Sequence, residues 1–522
     1  MELVKEHMKL VHFIGKTQEQ IALEEDFIVP DVKPDVSVLI AENGDVKITE
    51  ARVKEGKLFV RGKLEFSVLY VAADKEKQLN KMSGSIPFEE TLTMDGLSEE
   101  HMIKVRWDIE DLRTRMINSR KISVRSIIAL SVQVFCVRDE LAVSEECHLP
   151  GAYAKGEMLN FSQLHTQKRD ILRVRGAVAL PGSKPDMLDI IWGRAQPGKM
   201  QIKVLDGCIH VRGMLHVFVM YASGEDEQPL QYFGTDMEIN ERLDVEGATE
   251  EMIGHIEMKM IQQDLQIHQN EDGEMRKVDV EVVMEVSMAL YEEKRMCLMQ
   301  DAYANDRTLL PQKTQLVYDN VCMQNQSVCE VNHTLPIENH SGKVLQICQT
   351  DARVKVDQSS ITPEGVKIEG VVYVQILYIA ADDQIPVNVI RGVIPFEHLV
   401  ETGPLGAQCV QEVIANLGDV NSSMPDSEHM EVKIELVFNT MIFEHHTMHV
   451  ITDIEEKPRD YQNEEKIPSM VGYIVRQGDT LWQLAKQYAT TCERVMQLND
   501  LETEEIIPGQ KLLIMREPMR RM

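Results

Sequence analysis

Apolar positions alternate with polar ones along much of the chain. Leu58, Val60, Gly62, Leu64, Phe66, Val68 and Tyr70 fall on one parity, and Val366, Ile368, Gly370, Val372, Val374, Ile376 and Tyr378 repeat the pattern. A period of two, held over seven positions with β-branched and aromatic residues, predicts strands. The glycine at a fixed point inside each strand predicts a bulge or a sharp bend. Helical periodicity is scarce before residue 470. Short helices are expected only around residues 35–40 and 188–192, with Asp35 and Asp186 near their N-termini.

The pattern recurs as a whole. Residues 30–70 superpose without gaps on 181–221, which sets Lys33-Pro34-Asp35 on Lys184-Pro185-Asp186 and Val60-Arg61-Gly62 on Val211-Arg212-Gly213. A shift of 308 residues finds a third copy, with Gly62 on Gly370 and Ile86-Pro87-Phe88 on Ile394-Pro395-Phe396. The third copy has Ser341-Gly342-Lys343 where the others have Lys-Pro-Asp, and the second lacks Ile-Pro-Phe. Each copy closes on a strand-like segment, 121–135, 277–291 or 429–443. The period is too long for a solenoid unit, so each copy reads as a domain. The expected fold class is mostly β: three β-rich, sandwich or barrel-like repeats at 1–150, 151–305 and 306–452, standing side by side. Sheet edges make self-association or docking by strand addition plausible.

Residues 453–470 are charged, carry two prolines, and read as an acidic flexible linker. Residues 471–522 then change character. Tyr473-Ile474-Val475 reads as a short strand and Gly478-Asp479-Thr480 as a turn into a helix. Thr480 with Gln483 fits a capping box. Leu481, Leu484, Ala485 and Tyr488 give that helix one apolar face. Thr490 with Glu493 repeats the capping pattern for a second helix ending near Asn499, and Pro508-Gly509-Gln510 turns into a closing strand. The order is β-α-α-β, a small α+β module with a short basic tail, Arg516, Arg520 and Arg521.

Charge narrows the partners. The 55 Lys and Arg against 85 Asp and Glu leave a net charge of −30. Nucleic acid and anionic membrane surfaces are poor partners for such a chain. No apolar run long enough for a membrane span occurs, and no secretory signal is expected at the N-terminus. The nine cysteines are irregularly spaced, which reads as reduced thiols in a cytosolic chain. No phosphate loop or hydrolase motif occurs, so neither catalysis nor a cofactor is expected. The nearest metal-like grouping, His445-His446 with His449, reads as solvated side chains rather than a metal site.

The terminal module resembles the LysM family closely. Tyr473, Val475, Gly478, Asp479, Thr480, Leu481, Trp482, Leu484, Ala485, Asn499, Leu501, Ile506, Pro508, Gly509, Gln510, Leu512 and Ile514 carry the family pattern in order and spacing. That resemblance implies a non-catalytic recognition domain for N-acetylglucosamine polymers such as peptidoglycan. Its groove would be formed by Gly478, Asp479, Thr480, Leu481, Trp482, Asn499, Leu501, Ile506 and Ile507. The repeats, with their Lys-Pro-Asp, Val-x-Gly and Ile-Pro-Phe landmarks, resemble the SPOCS domain of spore-forming Firmicutes. Tandem SPOCS-like copies before one LysM module are similar to the SipL/SpoVID-like spore coat morphogenetic family. That implies a scaffold in the mother cell, at the forespore surface, docked on a SpoIVA-like basement-layer protein in part through the LysM module. A peptidoglycan-binding role is the alternative.

Overall fold

A computed structural model describes residues 3–73, 78–146, 151–224, 230–337, 343–382, 384–406, 408–458 and 469–516. Cys147, Ser341, Gly342, most of the expected linker and the tail residues Arg520 and Arg521 lie outside them. The first copy builds six strands: β1 (Lys5–Ile28), β2 (Val36–Lys54), β3 (Lys57–Ala72), β4 (Leu79–Thr93), β5 (Met102–Asn118) and β6 (Lys121–Val143). They form two antiparallel three-stranded sheets, β1-β6-β5 and β2-β3-β4. The second copy repeats this with β7 (Ala152–Ala179), β8 (Met187–Leu205), β9 (Cys208–Ser223), β10 (Leu230–Asp244), β11 (Ile253–Gln269) and β12 (Met275–Ala304). The third has β13 (Arg307–Pro336), β14 (Val344–Thr362), β15 (Gly365–Ala380), β16 (Val387–Glu401), β17 (Cys409–Ser423) and β18 (His429–Pro458).

The alternation pays off as a sandwich. Leu58, Val60, Leu64, Phe66, Val68 and Tyr70 of β3 pack against Ile122, Val124, Ile128, Leu130 and Val132 of β6 in one buried cluster. Two sheets packed face to face bury one parity of each inner face. The other copies have matching cores of their own. Two helices expected from sequence are absent: β2 begins at Val36 and β8 at Met187, so residues 36–40 and 188–192 are strand. β18 also runs past residue 452. Asp453–Pro458, expected in the linker, pairs with Arg307–Gln312 of β13. Ladder hydrogen bonds to β13 hold this charged segment where its composition alone suggested solvation.

The landmark triplets have structural explanations. Arg120 Nη1 donates to the carbonyl of Lys33 (2.8 Å) and to Asp35 (3.2 Å), while Nη2 donates to the Val29 carbonyl (2.8 Å). Arg276 does the same to Lys184 O (2.9 Å), Asp186 (2.7 Å) and Pro181 O (3.0 Å). Tyr70 and Tyr221 complete the pair by donating to Pro34 O and Pro185 O at 3.1 and 2.9 Å. Asp35 and Asp186 therefore anchor an arginine instead of starting a helix. In the third copy Glu428 holds the arginine's place: its carbonyl accepts from Ile337 N, as those of Arg120 and Arg276 accept from Val29 N and Leu180 N.

The glycines at matching repeat positions face bulges that lie in the neighbouring strand. Ladder slips fall between Ile48 and Glu50, Pro197 and Met200, and Val356 and Gln358, opposite Gly62, Gly213 and Gly370. A Cβ on Gly370 would come within 2.2 Å of Lys355 O and 2.8 Å of the Phe396 ring. The glycine admits both the bulged backbone and the aromatic ring of the Ile-Pro-Phe triplet paired across the ladder.

The copies close around a common centre, which differs from a side-by-side row. β1 packs on both β7 and β13, and β7 packs on β13. Residues at matching repeat positions meet there. Leu69, Met220 and Leu377 share one buried cluster, at offsets of 151 and 308 residues from the first. Lys104, His255 and Glu412, at the same two offsets, form a buried polar layer. Lys104 Nζ lies 2.8 Å from Glu412 Oε1, and His255 Nε2 lies 2.9 Å from Glu412 Oε2. Arg106 adds contacts of 2.8 Å to Glu257 and 3.0 Å to Glu412. Burial alone would raise the Glu257 carboxyl, but Arg106 and Lys104 outweigh it and hold it at about 2. Burial likewise opposes ionisation of Glu412, yet His255, Lys104 and Arg106 keep it well below the usual range. Burial lowers His255, which lies against Glu412 in the same layer as Lys104, Arg106 and Glu257.

Candidate binding site

The terminal module folds as β19 (Met470–Ile474), α1 (Leu481–Gln487), α2 (Cys492–Leu498) and β20 (Lys511–Met515). Its core is Val475, Leu481, Leu484, Val495, Leu512 and Ile514, with Tyr473, Tyr488, Leu501 and Ile506 packed against it. Thr480 caps α1, its hydroxyl accepting from Gln483 N at 3.2 Å. The second cap is Thr491, not Thr490, and accepts from Arg494 N at 3.1 Å. Gly478 and Gly509 both sit at φ +90°, where a side chain would be strained.

The nine expected groove residues divide by what they do. Leu481 is 1% exposed and belongs to the core, and Leu501 and Ile506 support it. Asp479 Oδ2 accepts from Arg476 N (2.7 Å) and Tyr473 OH (2.8 Å), which hold its carboxyl below the usual range. Asn499 is fully used: it donates to Val495 O and Leu513 O and accepts from Leu513 N at 2.6 Å, tying α2 to β20. Gly478, Thr480 and Ile507 remain exposed, Ile507 at 71%. The 476–480 and 500–509 loops also expose Arg476, Gln477, Glu502, Thr503, Glu504 and Glu505, so their surface is largely polar.

Trp482 engages the repeat body. Its Nε1 donates to Asp301 Oδ2 at 2.9 Å, and its ring meets Tyr303 edge-on at 4.9 Å. Lys486 reaches both Asp301 oxygens at 2.7 and 2.8 Å, and Tyr303 OH donates to Thr490 O at 2.8 Å. Burial would raise Asp301, but Lys486 and Trp482 more than offset it and leave the carboxyl below its ordinary value. Asp301 and Tyr303 lie on β12, far from the module in sequence, and no local motif marks them.

A second surface escaped the sequence reading. Met470, Ile474 and Leu513 are 53%, 60% and 37% exposed. Gly472 pairs with Leu513 and Ile474 with Lys511, so by strand alternation these three side chains share the outer face of β19-β20.

The family model for the SipL, SPOCS domain matches residues 19–117, 186–268 and 343–425, and the LysM domain model matches 473–514. The chain belongs to the SipL, SPOCS-domain family. Each SPOCS segment falls within one of the three sandwiches described above, and the LysM segment falls within the β19-α1-α2-β20 unit. Curated relatives match only in the LysM part. "Probable endopeptidase p60" of Listeria grayi is 46% identical over 50 residues, 9% of this chain and 10% of that protein. "Uncharacterized protein YkzQ" of Bacillus subtilis is 43% identical over 42 residues, 8% of this chain and 56% of that protein. The chain therefore spans about a tenth of the p60 protein's length. No solved structure matches. SPOCS and LysM domains are non-catalytic binding domains, and together they fit a sporulation coat scaffold. Among the described residues no helix is long and apolar enough to cross a membrane.

Proposed function

We propose that the chain is a non-enzymatic scaffold of spore coat assembly that docks, through its LysM module, on a SpoIVA-like basement-layer protein around the forespore in the mother cell. The outer face of β19-β20, apolar but for Lys511 opposite Ile474, carries this reading. Met470, Ile474 and Leu513 expose aliphatic surface outside the groove a glycan would use. Clustered exposed apolar residues mark protein contacts more readily than sugar contacts. The Asp301 clamp supports it further, because a module held at a fixed angle presents that face in one orientation. The working division is three repeat units at 1–150, 151–305 and 306–452, followed by the module.

Peptidoglycan binding is the second reading, favoured by the exposure of Gly478, Thr480 and Ile507. A pull-down from sporulating cells with the chain, with and without residues 471–522, tests the first. Loss of coat-protein recovery on truncation is expected. Unchanged recovery places docking elsewhere and removes the proposal.

A further inference from the structure

We propose that His12, Asp319 and His445 bind a divalent transition-metal ion of the zinc class, which staples the first repeat to the third. Asp319 and His445 face each other across the β13-β18 ladder. His12 comes from β1 of the other copy. Both imidazoles turn Nδ1 toward one oxygen: His12 lies 3.3 Å and His445 3.0 Å from Asp319 Oδ1. The three donor atoms lie within 4.8 Å of one another. Asp319 Oδ2 accepts from Phe13 N at 2.5 Å, which fixes the carboxylate with its other oxygen toward the rings. Such a backbone partner orients a ligand as outer-shell groups do in metal sites.

The molecule carries its own comparison. The sheet of each copy that holds β1, β7 or β13 slips by one residue at a matching place, after Phe13, Leu164 and Val321. Two residues earlier stand Val11, Ser162 and Asp319. Ser162 Oγ accepts from Val321 N at 3.1 Å, as Asp319 accepts from Phe13 N, so a hydroxyl at the second–third joint meets the backbone donor that a carboxylate meets at the first–third joint. Opposite these positions are Val137, Glu293 and His445, and beside them are His12, Gln163 and Asn320. Among the described residues the copies thus meet elsewhere without a His-Asp-His set, and the set is assembled at the joint between the first and third.

Two imidazoles and one carboxylate are three protein ligands, and side-chain exposures of 30%, 10% and 34% leave a fourth position reachable from solvent. Imidazole nitrogen suits zinc, cobalt or nickel, while magnesium and calcium prefer all-oxygen sites. The ion takes the Nδ1 positions, the ring protons of the neutral imidazoles standing on Nε2, and protons compete with the metal at low pH, so affinity falls with acidity.

The test uses the full chain stripped with chelator, titrated with Zn2+ by calorimetry and with Co2+ by visible absorption. One equivalent should bind with a micromolar or tighter Kd. Asp319→Asn, His12→Gln and His445→Gln, which keep hydrogen-bonding capacity, should each weaken it tenfold or more. Cys136→Ser, opposite His12 in the ladder, should leave it unchanged. Should a variant misfold, the unaltered chain still decides: one equivalent of Zn2+ should raise its Tm and Mg2+ should not. No saturable Zn2+ binding, no Tm shift with Zn2+, or equal binding by the His12→Gln/His445→Gln double variant overturns the proposal.

Discussion

Replacing Asp301 by alanine should release the LysM module from the repeat body. Asp301 accepts from Trp482 Nε1 and from Lys486. A hydrogen bond from an uncharged donor to a half-buried carboxylate contributes about 1.5–3 kcal/mol. Lys486 is 39% exposed, so solvent screens its pair and about 0.5 kcal/mol is a fair value. The Tyr303–Trp482 ring contact, worth about 0.5–1.5 kcal/mol, and the Tyr303–Thr490 bond remain. Asp301→Ala therefore removes roughly 2–3.5 kcal/mol of docking, a shift of about 30- to 300-fold in the docked-to-free ratio at 1.4 kcal/mol per tenfold. The chain has three tryptophans, and Trp107 and Trp192 are only 5% and 3% exposed. Trp482 emission should shift to the red and acrylamide quenching should rise, while the buried pair stays unquenched. An unchanged spectrum and quenching constant would refute the docking argument.

The central layer gives two further expectations. Glu412→Gln leaves Lys104 and Arg106 short of a buried counter-charge and should destabilise the chain by about 3–5 kcal/mol in chemical denaturation. Glu257, Glu412 and His255 all have lowered folded-state pKa values. The unfolded chain then binds more protons, so their stability contribution is lost as pH falls: from about 6.5 downward for His255 and from about 4.3 downward for the two carboxyls. Asp108, raised by burial, acts in the opposite sense, so the check is the difference between wild type and Glu412→Gln across pH 3–7 denaturation curves, flatter for the variant. Gly370→Ala drives a Cβ against Lys355 O and should cost about 1–3 kcal/mol, visible as a lowered Tm, whereas Gly403→Ala, with open space around it, should cost far less.

Much of the fold was legible because strand periodicity and internal repetition are local signals. β3, β9 and β15 begin at Lys57, Cys208 and Gly365, the offsets of 151 and 308 that the sequence copies show. The LysM module was legible almost residue by residue, down to the Thr480 cap. What escaped was set by distance along the chain. Arg120 and Arg276 explain Lys-Pro-Asp from roughly ninety residues away, and aspartates beside apolar runs suggested helix caps instead. The closed arrangement was hidden because Lys104, His255 and Glu412 differ in type, although aligning the copies puts them in one column. His445 was read with His446 and His449, its sequence neighbours. In the fold it meets His12, while His446 stacks on Tyr318 and pairs with Glu444. Trp482 carried the LysM pattern, yet only the tertiary structure assigns its contact to Asp301 and Tyr303.

The central claim is that the LysM module of this SPOCS-family chain binds protein through the outer face of β19-β20. Calorimetric titration of the full chain with a purified SpoIVA-like basement-layer protein, and separately with muropeptide, tests it most directly. Ile474→Lys with Leu513→Glu changes exposed side chains and should abolish protein binding with the Tm kept, while Ile507→Glu at the groove rim should leave it near wild type. Saturable muropeptide binding lost in Ile507→Glu, with no protein binding by the unaltered chain, would contradict the account.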